Sequence, residues 1–197
     1  LMQNSPFWGQ WIRTPELSVA LLDEWETKIE KLAHITAEEN VTSLAGVPTW
    51  TLLLLKRILE IKGKSTIKEV WPNLELYING GVSFFPYRDQ FEKIIGCKIN
   101  YLEIYNASEG FIAAQVDPDD DGMLLFTEHG IFYEFMPVEE YGNEKPVTGG
   151  LKDVIAGKNY ALVISTTGGL WRYLIGDTIQ FTSLNPYKIK ITGRLKH

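Results

Sequence analysis

Residues 100–110, Asn-Tyr-Leu-Glu-Ile-Tyr-Asn-Ala-Ser-Glu-Gly, are the stretch of sequence that decides the fold. Their first half contains Tyr101 and Tyr105 and has the residue types of a half-buried strand. Their second half is small and polar and ends in a glycine, which permits a sharp turn. Open α/β sheets bind ligands beyond the carboxyl ends of their strands. We therefore expect Ser108 and Glu109 to face a ligand.

Before this stretch, helical and strand patterns alternate along the chain. Apolar residues recur at helical spacing in three segments, for which Ser18, Thr49 and Pro86 are suitable first-turn or capping residues. Gly63 and Gly96 stand where C-terminal glycines are expected. The alternation is typical of a parallel sheet with covering helices, and it predicts an α/β subdomain over about 1–110. The predicted elements are helices 18–33, 49–62 and 86–95 and strands 40–47, 74–78 and 100–105.

After residue 110 the pattern changes to short strands separated by turn residues. We predict an antiparallel, β-rich subdomain over about 111–197, either barrel-like or built as a folded sheet. The fold class is thus α/β, with a parallel portion followed by an antiparallel one. The predicted strands are 111–116, 123–126, 131–135, 160–165, 170–175, 178–182 and 188–192.

Composition excludes several classes of protein. The chain has 197 residues and a net charge of −6, so it lacks the basic footprint of a nucleic-acid-binding protein. Cys97 is the single cysteine, which allows no disulfide framework and favours a reducing compartment, with the cytoplasm as the default. No apolar run reaches the roughly 18 residues of a membrane span, and we find no signal peptide, so we expect no membrane association. The first and last residues resemble neither a natural start nor a natural end, which suggests a segment of a longer protein.

Three residues are candidates for chemistry, each with an ordinary alternative. Glu109 can hold Mg²⁺, which prefers oxygen ligands, or it can be a surface glutamate in a turn. Asp177 can accept two hydrogen bonds from a ribose diol, as an acidic residue does in dinucleotide folds. It can equally belong to a Gly-Asp hairpin turn, and the residues alone favour the turn. Arg194 is either a surface charge or a donor to ribose or phosphate.

Several motifs together resemble a known family. In order and spacing they resemble the acyl-acid amido synthetases of the auxin-responsive family, including its bacterial members, over nearly the whole chain. That family belongs to the adenylate-forming enzymes, together with acyl-CoA ligases and luciferases. The motifs are Gly46-Val47-Pro48, Trp71-Pro72-Asn73-Leu74, Gly80-Gly81, Tyr105-Asn106-Ala107-Ser108-Glu109-Gly110, Glu134-Phe135-Met136-Pro137, Gly169-Leu170-Trp171-Arg172-Tyr173-Leu174-Ile175-Gly176-Asp177 and Gly193-Arg194.

The resemblance implies a role for each matching residue. Glu109 would hold Mg²⁺ as the catalytic carboxylate, and Ser108 would lie near the phosphate of ATP. Asp177 would bind the ribose hydroxyls, with Arg194 approaching the same ribose or the α-phosphate. Tyr105 would stack near the adenine, which the backbone of Gly80 and Gly81 would line. Val47 and Pro48 would border the acyl pocket.

The resemblance implies a two-step reaction on small molecules. ATP would adenylate a carboxylic acid, and an amine, most simply an amino acid, would then take the acyl group. An acyl-CoA ligase and a catalytically silent nucleotide- or acid-binding module are the alternatives.

The chain also departs from the family pattern. Asn106 replaces a small residue, and Leu174 replaces an arginine of plant members, whereas Arg172 matches a different arginine. The phosphate loop of the superfamily would precede Leu1, and the smaller C-terminal domain would follow a hinge at the end of this chain. We therefore expect the isolated segment to be inactive.

Overall fold

The computed structural model describes residues 7–195, which form two compact units. The first unit ends at Tyr101 and the second begins at Leu102. This division lies inside a single strand, Asn100–Ala107. The placement of a domain boundary after Gly110 stays a prediction.

Over residues 7–101 the first unit has four α-helices and two complete strands. The prediction of one helix over 18–33 is wrong, because the chain leaves the helical conformation between Leu21 and Glu24. The carboxylate of Glu24 accepts hydrogen bonds from the backbone N–H groups of Glu26 and Thr27, so a second helix starts there. Ser18 lies inside the first helix and does not cap it. The helices are α1 (Leu17–Ala20), α2 (Trp25–Thr36), α3 (Pro48–Lys62) and α4 (Arg88–Ile95), and 3₁₀ turns span Phe7–Gln10, Ile67–Glu69 and Phe85–Tyr87.

Helix α3 shows which capping predictions were right. Thr49 is not the cap, because Val47 occupies that position with extended backbone and Pro48 begins the helix. Gly63 ends the helix with φ 60°, which confirms the prediction for the C-terminus. Gly96 ends α4 in the same way, with φ 78°.

Strands β1 (Ser43–Gly46) and β2 (Leu76–Gly80) pair in parallel, which confirms the prediction for these two strands. Trp71, fully buried between the helices, donates a 2.8 Å hydrogen bond from Nε1 to the carbonyl of Thr36. The carbonyl of Thr36, the last residue of α2, also accepts a 3.2 Å hydrogen bond from the backbone N–H of Glu39 just beyond the helix. The bond from Trp71 is a second contact, which ties the end of α2 to the apolar core.

The second unit is an antiparallel sheet, as the sequence predicts. Its strands lie in the order β3-β4-β5-β9-β8-β7-β6, and every pair between them is antiparallel. The predicted strands 170–175 and 178–182 are wrong as separate elements, because the chain runs through Gly176 and Asp177 without turning. The strands are β3 (Asn100–Ala107), β4 (Gly110–Gln115), β5 (Met123–Leu125), β6 (Ile131–Pro137), β7 (Asn159–Thr166), β8 (Tyr173–Leu184) and β9 (Tyr187–Arg194).

The sheet folds over its own core. Although β4 and β6 are far apart in the strand order, a Cβ added at Gly110 would lie 2.7 Å from Cδ1 of Ile131. A larger residue at this position would require the Ile131 side chain to shift, which shows how closely the two strands approach each other. Phe135 and Phe181 are buried in this core with ring centroids 5.0 Å apart.

Within residues 7–195, the structure has no helix with the length and the apolar character of a membrane span.

Candidate functional site

The candidate site of the second unit is built around an irregular point in strand β8. Gly176 has φ 92°, a conformation that glycine adopts without strain. Its carbonyl accepts a 2.8 Å hydrogen bond from the backbone N–H of Leu195. The pairing of β8 with β7 is irregular at this point, because the stretch from Ile175 to Asp177 lies opposite the single residue Leu162. At this bulge in β8, Asp177 pairs with Arg194 of the neighbouring strand β9.

The carboxylate of Asp177 is held by one hydrogen bond and one ion pair. The hydroxyl of Tyr105 donates to Oδ2 at 2.8 Å, and Nε of Arg194 lies 3.2 Å from Oδ1. The side chain of Asp177 is 22% exposed and that of Arg194 is 74% exposed. Since Asp177 is not in a turn, the hairpin alternative is wrong. The structure thus brings three predicted site residues into one network.

Tyr105 contributes to this network from the core. It is 4% exposed, and its ring belongs to the apolar cluster of the second unit. Burial and then the hydrogen bond to the Asp177 carboxylate raise the pKa of the Tyr105 phenol well above its usual range. The phenol therefore stays protonated and donates. The stacking of adenine on this ring stays a prediction, and in this structure the ring faces are covered by protein.

Ser108 and Glu109 form the two-residue turn between β3 and β4, where Ala107 pairs with Gly110. The expectation of a turn here is confirmed, but this turn belongs to an antiparallel hairpin. Ser108 is exposed and Glu109 is partly buried. The negative charge of Glu109 contributes to the raised pKa of Tyr105, so the turn lies near the Asp177 network.

Glu109 is suited to a metal that arrives with a nucleotide. Within residues 7–195 its carboxylate has neither an ion-pair partner nor a hydrogen-bond donor. Mg²⁺ is commonly bound through one or two carboxylates together with substrate phosphates. The residues present therefore fit a magnesium ion shared with a phosphate group.

The predicted residues of the first unit also come together. Gly81 follows β2 with φ 82°, and a Cβ added there would lie 3.4 Å from Cγ2 of Val47. Pro48 is buried at the start of α3, and Gly80 is the last residue of β2. The predicted adenine contact at Gly81 and the predicted acyl-pocket residue Val47 are therefore neighbours within this unit.

Sequence analysis missed a second network in the second unit. Arg172 has φ 46°, unusual for a residue other than glycine, and its Nε donates to Oε2 of Glu134 at 3.0 Å. Thr148 donates to the same carboxylate at 2.7 Å. Partial burial raises the pKa of Glu134, but these two hydrogen bonds outweigh it, so the pKa lies below its usual range. Both residues stand in motifs of the family pattern, but they are 38 positions apart in the sequence, which hid the pairing.

Comparison with known families decides the identity of the chain. A model of the GH3 family N-terminal domain matches residues 1–98, and a model of the GH3 family central domain matches residues 124–194. The chain belongs to the GH3 family. The two matches, in this order, cover most of its length.

Plant members of the GH3 family are among its relatives. The indole-3-acetic acid-amido synthetase GH3.3 of Arabidopsis thaliana is 30% identical over 122 residues, which is 59% of this chain and 20% of the relative. The indole-3-acetic acid-amido synthetase GH3.4 of the same plant is 29% identical over 196 residues, 94% of this chain and 31% of the relative. The chain therefore spans a third or less of the length of these GH3 proteins.

Solved structures show the same fold. The GH3.15 acyl acid amido synthetase superposes with a TM-score of 0.72 at 16% identity, covering 92% of this chain and 42% of that one. A 2-hydroxyisobutyryl-CoA ligase in complex with 2-HIB-AMP and CoA superposes with a TM-score of 0.61 at 16% identity, covering 85% of this chain and 36% of that one. The GH3 chain thus has the fold of the adenylate-forming enzymes.

Proposed function

We propose that the protein activates a carboxylic acid with ATP and transfers the acyl group to an amine, forming an amide. Membership of the GH3 family is the observation that carries this proposal. Relatives are named as synthetases that join indole-3-acetic acid or jasmonic acid to an amino group. The substrates are a small carboxylic acid and, most simply, an amino acid, and the lone Cys97 supports a reducing, cytoplasmic setting.

The reaction needs activation because a carboxylate is a poor acyl donor at neutral pH. Attack of the carboxylate on the α-phosphate of ATP forms an acyl adenylate and releases pyrophosphate. Attack of the amine on the acyl carbonyl then forms the amide and releases AMP. In such reactions the protein mainly positions the groups and stabilises charge.

The residues of the second unit have distinct roles in this proposal. Asp177 accepts hydrogen bonds from the ribose hydroxyls. Arg194 is anchored on Asp177 through Nε, which leaves its terminal N–H groups for a ribose or phosphate oxygen. Ser108 lies in the exposed turn that would approach the phosphate. Glu109 would hold Mg²⁺, which when bound offsets the negative charge of the phosphate oxygens. The roles of the four candidates in the first unit, Gly80, Gly81, Val47 and Pro48, remain as the resemblance implies.

The test is to incubate the full-length protein with ATP, Mg²⁺ and a panel of acids that includes indole-3-acetic acid and jasmonic acid. Parallel reactions contain either amino acids or coenzyme A, and pyrophosphate release and product mass are measured. We expect an amide and AMP. A thioester would replace the proposal by an acyl-CoA ligase, and absence of pyrophosphate with every acid would favour a silent binding module.

Two glutamate variants, compared with each other, test the proposed magnesium site. Glu109→Gln should lower pyrophosphate release strongly, because it removes the proposed metal ligand. Glu144→Gln changes an exposed glutamate in a loop of the same unit and should leave the rate unchanged. Equal rates for both variants would contradict the assignment of Glu109.

A further inference from the structure

The contacts of Asp177 orient its carboxylate and leave some of its hydrogen-bond acceptor positions free for a ligand. Each oxygen of an ionised carboxylate has two acceptor positions. Tyr105 uses one position on Oδ2, and Arg194 forms an ion pair 3.2 Å from Oδ1. At least one position therefore remains on each oxygen, and the side chain is 22% exposed, so it is accessible. Two adjacent hydroxyls match this pair of acceptors.

The hydroxyl of Tyr105 is not needed simply to fill the core. Tyr133 provides the comparison, since it is a second tyrosine of the same cluster and is likewise 4% exposed. Among the residues that the structure describes, the buried hydroxyl of Tyr133 has no hydrogen-bond partner. This core thus accommodates a tyrosine whose hydroxyl bonds to nothing, whereas the hydroxyl of Tyr105 meets a specific acceptor.

The Tyr105 hydroxyl also joins strands that the sheet does not pair. β3 carries Tyr105 and β8 carries Asp177, and β4, β5 and β9 separate them in the strand order. Backbone hydrogen bonds between neighbouring strands therefore do not set the position of Asp177 relative to β3. The 2.8 Å bond from Tyr105 sets it directly. The same strand ends in the turn that carries Ser108 and Glu109.

We propose that Tyr105 is a positioning residue that makes the site selective for a nucleotide with an intact ribose diol, acting through its hydroxyl rather than its ring. The hydroxyl holds Asp177 so that both remaining acceptor positions meet the 2′- and 3′-hydroxyls together. This inference rests on the proposed function, in which Asp177 binds the ribose.

The test compares ATP with 2′-deoxy-ATP and 3′-deoxy-ATP, each with Mg²⁺, by calorimetry on the full-length protein. The variants are Tyr105→Phe, which keeps the ring, and Tyr133→Phe as the matched control. We expect the unchanged protein to prefer ATP on the order of tenfold over each deoxynucleotide, since each lost bond goes to a charged acceptor. Tyr105→Phe should reduce this preference to about threefold or less, and Tyr133→Phe should retain it.

The outcomes separate the inference from the proposed function. The affinity ratio is measured on one preparation, so a partly unfolded fraction of a variant cancels. A wild-type ratio in Tyr105→Phe would overturn the inference and leave the tyrosine ring as the contributing group. Absence of ATP binding by the unchanged protein would instead overturn the proposed function, and this inference with it.

Discussion

The hydroxyl of Tyr105 lies 2.8 Å from Oδ2 of Asp177, although 72 positions separate the two residues in the sequence. Arg194 lies 3.2 Å from the other oxygen of the same carboxylate. Tyr105 and Arg194, which were chosen from separate sequence motifs, therefore both contact Asp177 directly. An acidic side chain that is held by a hydrogen bond and an ion pair and is still accessible is well suited to bind a polar ligand, which is why the proposed nucleotide site is placed here.

Gly176→Ala should destabilise the second unit. Gly176 has φ 92°, and a residue with a Cβ is strained in that conformation whatever space surrounds it. We expect a loss of about 1–3 kcal/mol in the free energy of unfolding, measured by denaturant titration. Gly168→Ala is the control, because its φ is not positive and the added Cβ would meet Oγ1 of Thr166 at an ordinary 3.6 Å. Equal stability of the two variants would show that the bulge does not need glycine.

Trp71→Phe should destabilise the first unit. The substitution removes the N–H that reaches the carbonyl of Thr36 at 2.8 Å and leaves that carbonyl with the longer, 3.2 Å bond from the backbone N–H of Glu39. We expect a cost of about 0.5–1.5 kcal/mol in the free energy of unfolding from the lost hydrogen bond, with a further contribution from the lost volume. Trp171→Phe changes a side chain that is 83% exposed and should have little effect. A neutral result at Trp71 would contradict a contribution of this hydrogen bond to the stability of the first unit.

The ion pair between Glu30 and Arg57 should make the free energy of unfolding of the first unit fall at acid pH. Arg57 donates to both carboxylate oxygens of Glu30, at 2.7 and 2.8 Å, and holds the pKa of Glu30 at about 2. His34 adds a contact of 3.2 Å to Oε1. Because the pKa is lowered on folding, the stabilisation is complete above the ordinary pKa near 4.5 and is lost as the pH falls towards 2.

The measurement is the melting temperature of the wild type, Glu30→Gln and Glu39→Gln between pH 7 and pH 2.5. The wild type should exceed Glu30→Gln at neutral pH, and the difference should shrink below pH 4.5. Glu39 is exposed and has no ion-pair partner within residues 7–195, so Glu39→Gln should follow the wild type at every pH. A difference between wild type and Glu30→Gln that stays constant with pH would contradict the role of this ion pair.

The sequence predicted those features that depend on local pattern. The C-terminal glycines Gly63 and Gly96, the parallel pair β1 and β2 and the antiparallel second half follow from residue periodicity and turn chemistry. The break between α1 and α2 was missed because the apolar spacing continues through it, whereas capping by the Glu24 side chain decides it. Local pattern also misread Gly176-Asp177, since the same dipeptide serves a hairpin turn and a bulge inside a strand.

The candidate site could also be predicted only in part from the sequence. Single residues such as Asp177 and Arg194 could be chosen from their motifs. Their contacts could not, because Tyr105, Asp177 and Arg194 meet only after the sheet has folded. The pairing of Arg172 with Glu134 was missed for the same reason, and the positive φ of Arg172 has no signal in the sequence.

The most direct test of the central claim is the affinity of the full-length protein for ATP with Mg²⁺, measured by calorimetry for the wild type, Asp177→Asn and Asp119→Asn. Asp119 lies exposed in a loop of the same unit and serves as the control. We predict that Asp177→Asn weakens ATP binding about 10- to 100-fold with an unchanged melting temperature, while Asp119→Asn binds as the wild type does. Wild-type affinity in a folded Asp177→Asn protein would contradict the claim that Asp177 binds the nucleotide.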